Sequence, residues 1–105
     1  MTRIVTVVAQ LTAKPGQEEE LGKRLRSGIK PTLAEDGCIT YDLHRSTDNP
    51  ATWMFYEHWA TQADLDRHTK SPHFLAFRAS KDEVLAEEMR VEYFQPDISM
   101  NIYNT

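Results

Sequence analysis

Residues 56–74, YEHWATQADLDRHTKSPHF, hold three of the chain's four histidines, one of its two tryptophans and three acidic residues. Imidazole titrates closest to neutrality of all side chains, so this concentration suits acid–base work or a metal. Spacing separates the two. His68 and His73 are five apart across a Ser71–Pro72 break, which is neither the i, i+4 pair of a helical metal site nor an HExxH arrangement. His44 and His58 fall on two strands of a hairpin, offset by roughly three residues or about 10 Å at strand rise, too far for one ion with ligands near 2 Å. No metal site is expected.

Acid–base chemistry fits the pattern better. Glu57 and Trp59 share one face of a strand, and His58 leaves by the other. If Glu57 faces the helices that carry His68 and His73, it holds one imidazole in a fixed tautomer, as a base with an orienting carboxylate requires. Trp59, Phe74 and Phe77 would then wall an apolar pocket suited to an aromatic ligand. The plainer alternative is that Glu57 satisfies a helix terminus or a buried imidazole and the aromatics are core.

These residues need a scaffold. RIVTVVAQLTA, residues 3–13, is rich in β-branched residues and ends at Pro15-Gly16, so it reads as a strand and turn. Leu21, Leu25, Ile29 and Leu33 then recur at helical spacing behind Glu18, Glu19 and Glu20, with Pro31 kinking the last turns and Gly37 capping the end. CITYDLHRS and TWMFYEHW flank the turn formers Asp48, Asn49 and Pro50, giving a hairpin over residues 38–60. Thr61 with Asp64 opens a short helix. Ser71-Pro72 opens another, running to about Glu87 with Phe74, Phe77, Val84 and Leu85 on one stripe. MRVEYFQP, residues 89–96, alternates as a fourth strand.

The order strand, helix, strand, strand, helix, strand predicts an α+β protein with a ferredoxin-like split βαβ sandwich, both helices on one face of the sheet. The other face carries either Met54, Tyr56 and His58 or Trp53, Phe55 and Trp59, sets too apolar for water, so a homodimer with sheets packed face to face is expected. The tail DISMNIYNT alternates Ile98, Met100 and Ile102 and either adds a strand to the neighbouring subunit or is disordered.

Composition bounds the rest. At 105 residues, 40% hydrophobic and 27% charged, the chain reads as one globular domain over residues 1–105 with its core in 3–96. The net charge of −4 argues against nucleic acid and anionic membranes as partners. No run approaches the roughly 18 apolar residues of a membrane span, and MTRIVTVVAQ has no cleavage site after its apolar run, so a cytoplasmic location is expected. Cys38 is the only cysteine, which excludes an intrachain disulfide and suits a buried structural thiol.

Three stretches carry a resemblance. KPGQEEE followed by Leu21, PTLAEDGCITYDLHRSTDNP, and FYEHW with ADLDRH and SPHF together resemble the antibiotic biosynthesis monooxygenase-type domain family, and within it the small bacterial quinol monooxygenases. The likeness spans residue 3 to about residue 96. Its most specific elements are Glu35 to Cys38 leading into Tyr41, and the series Glu57, Trp59, His68, Ser71, His73, Phe74. The resemblance implies a dimeric α+β barrel with a cavity between sheet and helices. It also implies a monooxygenase that uses no flavin, haem or metal, with a quinol-like or polycyclic aromatic substrate and O2 as partners. An electron-rich quinol, once deprotonated, passes an electron directly to O2, so the protein need only bind, deprotonate and exclude water.

In that frame His73 is the first candidate for the base and His68 the second, with Glu57 as orienting partner and Tyr56, Trp59, Phe74 and Phe77 as wall residues. Strand parity decides whether Tyr56 or Trp59 faces the cavity. His58 is assigned to a dimer interface or the surface. Haem degraders of the family place an asparagine on the first strand, where this chain has Val7, Ala9 and Leu11 on one face and Gln10 on the other, which argues against haem degradation. Two other functions stay open on the same fold: a small-ligand-binding dimer without turnover, and an isomerase of a small metabolite, for which Arg67 and Arg78 are the available cations.

Overall fold

Val5–Thr12, the first strand (β1), has neither Gly nor Pro and is rich in β-branched residues that suit a pleated, packed surface. It lies inside the sheet with a neighbour on each side. The computed structural model describes residues 4–97. Within them the strands run in the order β2 (Cys38–Arg45), β3 (Thr52–Trp59), β1, β4 (Arg90–Phe94), every pair antiparallel. Helical segments α1 (Glu18–Ser27) and α2 (Ile29–Leu33) join β1 to β2, and α3 (Gln62–His68) and α4 (Pro72–Ser80) join β3 to β4. This is the expected ferredoxin-like α+β fold.

Register settles the parity that the sequence leaves open. Tyr41, Glu57, Val7 and Tyr93 oppose one another in a row across all four strands, so they share a face. On that face Val7, Ala9, Leu11, Trp53, Phe55, Glu57 and Trp59 are buried. Met54, Tyr56 and His58 therefore occupy the open face, where Tyr56 is 38% exposed.

Three element ends differ from expectation. The helix expected to kink at Pro31 is interrupted at Gly28, between α1 and α2. Pro31 has no N–H to offer the carbonyl of Ser27, and its ring crowds that carbonyl, so the interruption falls one turn ahead of it. The helix stops at Leu33, and Gly37, at φ +81°, closes the turn into β2 instead, where its carbonyl accepts from Ala60 N at 2.8 Å. Finally, α4 ends at Ser80 and a 3-10 turn follows over Lys81–Glu83. Val84 and Leu85, 0% and 5% exposed, are drawn beneath β1, where Lys14 N donates to Val84 O and Ala86 N to Thr12 O. Burying two aliphatic side chains outweighs the helical propensity of the stretch. Ile98, Met100 and Ile102, expected to form a strand, lie outside the described residues.

The core between sheet and helices divides into two clusters. One gathers Ala9, Leu11, Leu21, Leu25, Trp53, Phe55, Val84 and Leu85, the other Val7, Trp59 and Leu65, and Tyr41 and Val91 touch both. Between the sheet and the helices lies a partly open cavity of about 750 Å³.

Candidate active site

The ends of α3 and α4 bring the two histidines together. Thr61 caps α3, its Oγ1 accepting from Asp64 N at 3.1 Å. Ser71 caps α4, with Pro72 at the first position, by accepting from Phe74 N at 3.3 Å. The same Ser71 hydroxyl donates to His68 O at 2.7 Å and lies 3.2 Å from His73 Nε2. This folds the last turn of one helix against the first turn of the next. Spacing along a single helix is therefore no guide here, because His68 and His73 belong to different helices.

Both imidazoles converge on Glu35, which sits in the turn between α2 and β2. His68 Nδ1 and His73 Nε2 each lie 2.7 Å from Glu35 Oε2. The carboxylate only accepts, so each facing nitrogen donates to it. His68 is 3% exposed, and burial pushes its pKa below the usual histidine value although Glu35 pulls the other way. A neutral ring with its proton on Nδ1 has a bare Nε2. That nitrogen has no hydrogen-bond partner among the described residues, and His68 lines the cavity.

Aromatic rings hold His68 in place. Its centroid lies 4.7 Å from Trp59, 5.2 Å from Phe74 and 5.6 Å from Tyr41. Tyr41 stacks on Phe55 at 4.4 Å. Burial drives the Tyr41 phenol well above its ordinary pKa, helped by the nearby Glu57 charge, so it remains a hydrogen-bond donor at the cavity wall.

Glu57, expected to orient an imidazole, does not reach one. It accepts from Trp59 Nε1 at 2.8 Å and makes no hydrogen bond to either imidazole. It lies in the cavity floor, 5% exposed, and burial pushes its carboxyl up to about 7, with the Trp59 donation opposing and the Glu35 charge adding. Of the expected wall residues, Phe74 and Phe77 line the cavity. Trp59, 0% exposed, backs His68 from behind. Tyr56 stands on the open face, edge-on to His58 at 4.8 Å, and His58 in turn meets Thr40 Oγ1 at 3.1 Å. His44 also lies on that face, opposite Met54.

Glu35 and Tyr41 both meet His68, and pattern reading passes them over. The signal was present, since AEDGCITY is among the most specific stretches of the resemblance, but nothing local marks either as catalytic. Cys38 is half-buried, and burial pushes its thiol up to about 11, which suits an unreactive packing residue. Arg67 pairs with Asp64 at 3.0 Å on the surface, and Arg78 stands exposed at the cavity rim.

Comparison with known proteins agrees with this architecture. Residues 4–80 match the family model "Antibiotic biosynthesis monooxygenase". The chain is 38% identical over 96 residues, covering 91% of it and 94% of the relative, to "Putative monooxygenase Rv0793" of Mycobacterium tuberculosis. It is 27% identical over 106 residues, covering 90% of it and 100% of the relative, to "Probable quinol monooxygenase YgiN" of Escherichia coli. Among solved structures, PA3566 from Pseudomonas aeruginosa superposes with a TM-score of 0.88 at 32% identity, covering 93% of this chain and 98% of that one.

Proposed function

The chain belongs to the antibiotic biosynthesis monooxygenase family, and from that premise we propose that it oxidises a quinol-like or polycyclic aromatic substrate with O2, using its own side chains and no cofactor. The family and the names of its relatives support a monooxygenase-like function. The observation that carries the finer reading is the buried His68 imidazole, fixed at Nδ1 by Glu35 at 2.7 Å, while the ring lines a largely apolar cavity and its Nε2 has no hydrogen-bond partner among the described residues.

In this reading the substrate lies flat between the sheet floor of Val7, Ala9 and Phe55 and the helical wall of Phe74 and Phe77. His68 Nε2 takes the proton from a substrate hydroxyl. Glu35 stabilises the imidazolium that forms, and His73, bonded to the same carboxylate oxygen, holds Glu35 in place. The order of the two imidazoles thus reverses the one expected from sequence, because His68 is the more buried and the better enclosed by aromatic rings. Tyr41 donates to the resulting oxyanion. The anion gives one electron to O2, and the radical pair then joins through a carbon–oxygen bond. Loss of water leaves one oxygen atom in the product and the other in water, while the substrate supplies both hydrogens of that water and no external reductant is needed.

The reading also includes a homodimer built on the open sheet face, where Tyr56 and Phe94 are 38% and 51% exposed, and a cytoplasmic setting. Among the described residues no helix is long and apolar enough to cross a membrane.

The test is O2 consumption by chelator-treated protein across a panel of hydroquinones, naphthoquinols and anthrones, with His68→Gln and His73→Gln variants whose fold is checked by circular dichroism. Uptake above autoxidation that collapses in His68→Gln supports the proposal. Product without O2 uptake identifies an isomerase, and ligand-dependent thermal stabilisation without product identifies a binding protein.

A further inference from the structure

We infer that Glu35, His68 and His73 also form a binding site for one divalent transition-metal ion, and that filling it switches Nε2 of His68, the nitrogen not held by Glu35, from proton acceptor to proton donor. The second half rests on the reading of His68 as the base, whereas the first stands on geometry alone. One donor atom from each of the three side chains lies within 4.8 Å of the other two. Both imidazole nitrogens already point at one carboxylate oxygen from 2.7 Å.

Two imidazoles and one carboxylate suit a borderline ion such as Zn2+ or Co2+ and not Mg2+ or Ca2+, which favour all-oxygen shells. Ligands bound at about 2.1 Å to a single ion stand about 3.0–3.4 Å apart, so each imidazole nitrogen, now 2.7 Å from Glu35 Oε2, needs to draw back from that oxygen by less than about an ångström, and the two nitrogens already stand no more than 4.8 Å apart. His73 is at the accessible side, its side chain 22% exposed against 4% for His68. Ion entry from the His73 side therefore does not disturb the aromatic cage. Three protein ligands leave at least one coordination position open.

The nitrogen that binds the ion sets the tautomer of His68. A neutral His68 held by Glu35 carries its proton on Nδ1 and leaves Nε2 bare. An ion on Nδ1 displaces that proton, and the neutral ring then carries its hydrogen on Nε2. The nitrogen that would deprotonate a quinol becomes an N–H. Occupancy and base function exclude each other.

The experiment needs neither substrate nor O2. Chelator-treated protein is titrated with Zn2+ by calorimetry and with Co2+ by visible absorption, beside His73→Gln and a His44→Gln/His58→Gln control that removes the imidazoles of the open face. The inference expects saturable binding of one ion per chain, unchanged in the control and weakened at least about tenfold in His73→Gln, since even an outer-shell partner is worth about 10- to 100-fold. Nitrogen NMR of His68 should show Nε2 passing from unprotonated to protonated as Zn2+ is added. Absence of saturable binding, or equal affinity in His73→Gln, overturns the site. Binding that leaves Nε2 unprotonated overturns the switch. A protein that takes the ion but consumes no O2 with any substrate keeps the site and removes the oxygenase reading.

Discussion

His68 Nδ1 donates to Glu35 Oε2 across 2.7 Å and 33 residues of chain. That single contact ties the end of α3 to the turn before β2 and sets which nitrogen of a buried imidazole is free for chemistry. Glu35 also receives His73 from 38 residues away, so one carboxylate organises the whole cluster.

Replacing Glu35 by Gln keeps the shape but removes the charge and lets an amide N–H face Nδ1. The ring can then hold its proton on Nε2, where it is useless as a base. Turnover should fall by about 100-fold, within the range of about 10²–10⁴ for a positioned base, while the melting temperature changes little. Nitrogen NMR separates this from mere disruption: His68 Nε2 should become partly protonated in Glu35→Gln and not in the parent.

Glu57 makes stability depend on pH in an unusual direction. Its folded pKa of about 7 lies above the ordinary 4.5, so between those values the folded state binds more protons than the unfolded one, and stability falls as pH rises through that window. Glu57→Gln retains an acceptor for Trp59 Nε1 and removes the buried charge. The variant should be more stable than the parent by about 1–3 kcal/mol at pH 8 and nearly equal to it at pH 4.5, as read by urea melts at the two values.

Gly16 and Gly37 share positive φ, +85° and +81°, but not surroundings. A Cβ at Gly16 meets nothing within 4 Å, whereas one at Gly37 would fall 2.1 Å from the Asp64 carboxylate that packs at the start of α3. Gly16→Ala should cost about 1–2 kcal/mol from backbone conformation alone. Gly37→Ala should cost clearly more and also weaken catalysis, because the displaced turn carries Glu35. Thermal melts and O2 uptake on the same samples check both.

Tyr56→Glu places a charge on the open sheet face without touching the cavity. If a second copy covers that face, sedimentation should pass from dimer to monomer at matched concentration, with the circular dichroism spectrum unchanged. A dimer that persists in Tyr56→Glu locates the interface elsewhere.

Much of the scaffold is written locally. The β-branched run of β1, the Thr61 and Ser71-Pro72 caps and the Asp48, Asn49 and Pro50 turn each follow from short-range chemistry and appear where that chemistry puts them. Parity in β3 does not, because Met54 and Tyr56 are about as apolar as Trp53 and Phe55, and only pairing with β1 and cover from the helices break the tie. The end of α4 was hidden for a related reason: Lys81 to Glu87 has helical propensity, and a long-range pairing of Leu85 with Ala13 overrides it. Glu35 was invisible as a site residue because its role exists only in the contact with two histidines far along the chain. Glu57 sits two residues from Trp59 and close in sequence to the histidines, so proximity along the chain points to it, whereas the carboxylate that meets both imidazoles is Glu35.

The most direct test of His68 as the base of a cofactor-free oxygenase is product labelling under 18O2 with chelator-treated protein and an anthrone, comparing the parent with His68→Gln. Oxygenated product should form faster than by autoxidation, carry one 18O atom per molecule, and appear only at the background rate in the variant. Product that takes its oxygen from water, or a rate equal in parent and variant, would contradict this reading.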